Sequence, residues 1–152
     1  MATTNRTTEH KTALQTAAQA VGAVFLLVGI LGFIPGITSN YEGLGFAGHG
    51  SEALLLGIFQ VSVLHNIVHL LFGVAGILLS RTHGQAKSYL LYGGVVYLVL
   101  WVYGLLIGHD TAANFVPVNS ADNWLHLVLG IAMIALAVLL SRDTAPREPT
   151  RG

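Results

Sequence analysis

Cysteine is absent from the 152 residues, which excludes disulfides, thiolate zinc sites, Cys-ligated iron–sulfur clusters and thiol redox chemistry. Charge is nearly as scarce. Asp, Glu, Lys and Arg make up 9% of the chain, against about 25% in an average soluble domain. The seven basic and seven acidic residues cancel, leaving no basic footprint for nucleic acid, which is not expected as a partner. What the chain has instead is apolar surface: 53% of residues are hydrophobic, with a mean hydropathy of +0.67. A water-facing globule of this composition would expose large apolar patches. The length allows one domain, and its solvent is the lipid bilayer.

Four apolar stretches, near residues 13–34, 54–79, 89–107 and 124–140, contain no Lys, Arg, Asp or Glu. Each approaches the ~20 residues needed to cross a hydrocarbon core of about 30 Å. The fold class expected is therefore an all-α membrane protein, a four-transmembrane-helix bundle over residues 13–141, with polar tails at 1–12 and 142–152. Pro35-Gly36, Arg81-Thr82-His83-Gly84, Gly108 and the segment 141–146 supply stop signals after the four spans.

The charges are sorted. Arg6 and Lys11 precede the first span, Arg81 and Lys87 flank the second loop, and Arg142, Arg147 and Arg151 follow the fourth span. The loops 35–53 and 108–123 carry no Lys or Arg, and hold Glu42, Glu52, Asp110 and Asp122. Because Lys and Arg are retained on the cytoplasmic side, the expected topology places both termini inside a cell (inner or plasma) membrane and both acidic loops outside.

The second and fourth spans share the pattern N-x-x-H-L-x-x-G-x-A. It reads Asn66, His69, Leu70, Gly73 and Ala75 in one, and Asn123, His126, Leu127, Gly130 and Ala132 in the other. Gly22, Gly32 and Gly36 also align with Gly94, Gly104 and Gly108 at one constant offset. The pattern describes two repeated helix hairpins related by an axis along the membrane normal. Asn and His three residues apart share a helical face, and Gly four beyond the His continues it. Turned inward, the polar pair hydrogen-bonds between helices and the Gly admits a close neighbour. Asn66, His69, Gly73, Asn123, His126 and Gly130 are thus expected at interhelical contacts, and the same packing role extends to a homo-oligomer or a membrane partner protein.

Three of the seven histidines fall inside spans: His65, His69 and His126. At a rise of 1.5 Å per residue, His69 lies about 18 Å from the level of Arg81, and His65 and His126 about 24 Å from Arg81 and Arg142. Ionisable residues at such depth mark function by default. Beside interhelical hydrogen bonding, three uses are open. The three side chains are candidate ligands for Zn²⁺ or Cu²⁺; one His from each of two helices is a candidate axial pair for haem; and an imidazole can relay protons in a small proton-coupled transporter working as an oligomer. Enzyme signatures are missing: there is no phosphate loop followed by Lys, no G-x-S-x-G elbow and no H-E-x-x-H.

The paired runs His65-Asn66-Ile67-Val68-His69-Leu70-Leu71-Phe72-Gly73 and Asp122-Asn123-Trp124-Leu125-His126-Leu127-Val128-Leu129-Gly130, set in four spans, resemble a group of small bacterial membrane proteins catalogued as domain of unknown function 4383. The resemblance runs from about residue 13 to 141. It implies four membrane helices and no established activity, and carries over no catalytic residue.

Overall fold

The structure is a computed structural model that describes residues 11–141. Arg6 and the expected polar tails, apart from Lys11 and Thr12, lie outside the described residues. Four helices form: α1 (Ala13–Leu31), α2 (Val63–Leu79), α3 (His83–Leu106) and α4 (Ser120–Leu139). Helices α1, α3 and α4 are long and apolar enough to cross a membrane, whereas α2 is apolar but shorter, at 17 residues.

Local chemistry fixes each start. Thr12 and Gln15 form a reciprocal capping box on α1, and Asn119 and Asp122 form another on α4. Ser62 accepts the His65 N–H at 3.1 Å, and Thr82 accepts the Gln85 N–H at 3.3 Å. Two of these caps correct the boundaries read from hydropathy. α3 begins at His83, not near residue 89, because Thr82 caps it and its polar first turns extend the helix past its apolar part. At about 1.5 Å per residue its 24 residues reach roughly 36 Å. α2 begins at Val63, not near residue 54. Residues ahead of it form strands β2 (Leu54–Leu55) and β3 (Phe59–Gln60), which pair antiparallel with each other and, through β2, with β1 (Thr38–Ser39). The β2–β3 turn has positive φ at Leu56 and Gly57, 54° and 72°, a geometry that excludes helix and that Gly adopts without steric cost.

α1 packs along α2 and α3 along α4, with α1 and α2 also touching α3. Glycines set the closest approaches. A Cβ on Gly22 would stand 2.9 Å from the Gly73 carbonyl oxygen, and one on Gly73 2.8 Å from the Gly22 oxygen. In the second pair of helices, a Cβ on Gly94 would stand 2.8 Å from the Gly130 oxygen, and one on Gly130 3.0 Å from the Gly94 oxygen. Around Leu14, Ala18, Phe25, Tyr89, Leu90, Tyr97, Met133 and Ala137 the helices enclose an apolar core. Tyr89 belongs to it, and its hydroxyl donates to the Phe72 carbonyl.

Both ends of the bundle are tied. At one end, Gln15 Nε2 donates to the Arg81 carbonyl at 2.7 Å, and Thr12 Oγ1 lies 3.2 Å from His83 Nδ1. Lys11, Arg81 and Lys87 gather at this end. At the other, the loops 32–62 and 107–119 meet: the Gly48 N–H donates to the Phe115 carbonyl at 2.6 Å, and Asn119 Nδ2 donates to the Ile58 carbonyl at 2.7 Å. Glu42, Glu52, Asp110 and Asp122 belong to this acidic end. Between the ends, the faces turned outward carry Val24, Leu27, Leu71, Val99, Val128 and Ile131, all more than half exposed. The buried polar side chains include Asn66, Asn123, His65 and His126. The outward faces are thus apolar where a water-soluble bundle presents polar ones, and polar side chains are buried beside the apolar core.

Candidate functional site

The structure brings the three histidines together below the acidic end, with His65 and His126 buried and His69 partly buried. His65 opens the first turn of α2 and His69 follows one turn on, their ring centroids 4.5 Å apart. Phe25 of α1 packs on His69 at 5.6 Å and stacks with Tyr97 of α3 at 5.4 Å. Tyr97 in turn meets His126 of α4 edge to face at 5.2 Å. One ring from α1 and one from α3 thus each hold the motif histidine of the helix that follows.

His65 Nδ1 lies 3.1 Å from the Pro117 carbonyl oxygen. A carbonyl only accepts, so this nitrogen carries the proton and donates. Asn114 builds that acceptor. Fully buried, it donates from Nδ2 to the carbonyls of His109 and Val118 and accepts the Val118 N–H at 3.0 Å, folding the loop back over α2. Asp122, also buried, accepts two backbone N–H groups on Oδ2, from Gln60 and Asn119, each at 2.9 Å. It therefore caps α4 and fastens β3 to it.

The Asn residues of the motif face inward, but without the hydrogen bonds expected of them. Neither polar atom of the Asn66 carboxamide has a partner, nor does Asn123 Oδ1. Their positions are set by shape: the Asn66 carboxamide fills the space a Cβ would occupy on Gly32, and the Asn123 carboxamide does so at Gly104. The Gly32–Asn66 and Gly104–Asn123 contacts thus take the same form.

Two cavities flank the histidines, and His65, His69 and His126 line both. The larger, about 320 Å³, lies between α2, α3 and the loop carrying Phe115, Val116 and Val118. The smaller, about 90 Å³, is bordered by Val28, Phe59, Val61 and Asp122. Nδ1 of His69 and of His126 is buried with no hydrogen-bond partner. As a metal site the set is incomplete: among the described residues no group of three His, Asp or Glu side chains is placed to hold an ion. Glu52 is exposed and lines neither cavity. The sequence reading gave no weight to Val118, which lines the larger cavity, nor to Pro117, whose carbonyl meets His65, nor to Asn114, which shapes their loop.

Fold and site together define a class: a mostly helical protein with apolar outer faces and a small set of buried polar side chains. The chain belongs to the family described as Domain of unknown function (DUF4383), which it matches over residues 15–139, a stretch that includes both Asn-x-x-His motifs. No curated protein matches it, and no solved structure does.

Proposed function

We propose that this is a four-span integral protein of the cell membrane, built from two repeated helix hairpins, with both ends cytoplasmic, serving as a structural or partner-binding bundle. The observation that carries the reading is the sorting of charge. Lys11, Arg81 and Lys87 occupy one end, Glu42, Glu52, Asp110 and Asp122 the other, and apolar faces lie between. Retention of basic residues on the cytoplasmic side gives the direction. The 17 residues of α2 fall at the short end of the range of about 17 to 25 that spans a bilayer. The repeat draws support from the matched contacts, Gly22–Gly73 with Gly94–Gly130 and Phe25–His69 with Tyr97–His126.

The Cys-free background makes topology directly testable. Ala112→Cys and Lys87→Cys place single thiols at exposed positions on the two ends. A membrane-impermeant maleimide should label position 112 in intact cells and position 87 only after permeabilisation. The reverse pattern overturns the orientation, and labelling of both without permeabilisation overturns the single crossing, by α3, between the two positions.

A further inference from the structure

We propose that the larger cavity binds the ring of a lipid-soluble quinone, admitted from the bilayer between α2 and α3. The inference rests on the membrane-spanning reading above and adds a ligand to it. The mouth is formed by Val68, Val99 and Leu100, which are lipid-facing under that reading and are 43%, 62% and 40% exposed. At about 320 Å³ the space lies at the small end of ligand pockets, which run from about 300 to 1,000 Å³. It takes a ring system and leaves a long tail in the lipid.

The lining chooses the chemistry. It contains no Lys, Arg, Asp or Glu, so a charged head group would be desolvated without a counter-charge, at high cost. A plain hydrocarbon would leave the imidazoles of His69 and His126 without a polar partner, and each already has a buried Nδ1 that nothing in the protein meets. A neutral imidazole carries one N–H donor, and a ring carbonyl is the acceptor that suits it while remaining soluble in lipid. Tyr97 and His126 present ring surfaces at the back of the cavity, against which a flat ring stacks or packs edge-on. A neutral, planar, carbonyl-bearing ring with an apolar tail satisfies all these conditions.

The test is equilibrium binding of decylubiquinone to the full chain in nanodiscs, against protein-free nanodiscs of the same lipid and against decylbenzene, which keeps ring and tail but lacks carbonyls. Saturable one-to-one uptake is expected, at least tenfold tighter than for decylbenzene. Val99→Trp, a change on the exposed face that leaves the packed interior intact, should weaken it at least tenfold by filling the mouth, and His69→Phe should lose the preference over decylbenzene. Equal affinity for the two probes, binding indifferent to Val99→Trp, or uptake no greater than by empty nanodiscs overturns the site. Failure of the underlying reading looks different: the chain would remain in solution without detergent or lipid.

Discussion

The Asn66 carboxamide occupies the place of the side chain that Gly32 lacks. It makes no hydrogen bond there, so the pair is held by fit, and a methyl on Gly32 must displace the amide. Gly32→Ala is expected to cost about 1 to 3 kcal/mol, the usual range for overpacking a filled interior. The cost should largely vanish in an Asn66→Ala background, where the methyl enters vacated space. Thermal unfolding in detergent of the two single variants and the double variant measures the coupling. Strict additivity would show that the contact carries no energy, and the same cycle at Gly104 and Asn123 should return a similar value.

Glycines in this protein divide into two kinds that respond oppositely to Ala. A Cβ at Gly22 would press on backbone atoms of α2, the Gly73 oxygen and the Ile77 nitrogen, both at 2.9 Å, and backbone cannot step aside as a side-chain end can. Gly84, in the first turn of α3, has nothing within 4 Å of the same position. Gly22→Ala should therefore lower the unfolding temperature, while Gly84→Ala should raise stability by about 0.5 to 1 kcal/mol through helix propensity. A shared sign for the two would contradict the packing described.

Asp122 joins the two halves at the acidic end through a single oxygen. Replacing it with Ala leaves the part-buried Gln60 and Asn119 N–H groups without their acceptor, at about 1 kcal/mol, the low end of the cost for an unmet donor. The release should be local, read as faster amide exchange at Gln60 and earlier proteolysis within 54–60, with the cores of α1 and α3 still protected. Asp122→Asn, which retains an acceptor oxygen, should show the smaller effect. Equal exchange at Gln60 in wild type and Asp122→Ala would remove this tie from the account.

Much of this was legible in the chain because the relevant signals are local or periodic. The glycines and the N-x-x-H-L-x-x-G-x-A motif announce an inward face at helical spacing, and that face is where the structure places them. The segment 54–60 was misread for a physical reason: a short apolar run fits a strand or a buried helix equally by hydropathy, and the deciding features, the positive φ at Leu56 and the Ser62 cap, are single-residue events. The start of α3 was missed because hydropathy registers the apolar part of a helix, not its hydrogen bonds, and polar first turns are silent to it. The Pro117 carbonyl that meets His65 left no trace at all. It is a backbone group 52 positions away along the chain, brought there by a loop whose shape depends on one buried Asn.

That dependence gives the most specific prediction. The Asn114 side chain makes three hydrogen bonds within its own loop, and the loop delivers the Pro117 carbonyl to His65. In wild type this donation fixes His65 as the Nδ1–H tautomer, a state that nitrogen-15 chemical shifts of a His-labelled sample distinguish from Nε2–H. Asn114→Ala should free the Val118 N–H, speed its exchange and convert His65 to a tautomer mixture, although position 114 does not line the cavity containing His65. Spectra of His69 and His126 should change less, since neither has a protein hydrogen bond on Nδ1 to lose. A His65 spectrum unmoved by Asn114→Ala would mean the imidazole is oriented by its other contacts, the His69 ring and the Gln60 backbone, and that the loop merely covers it.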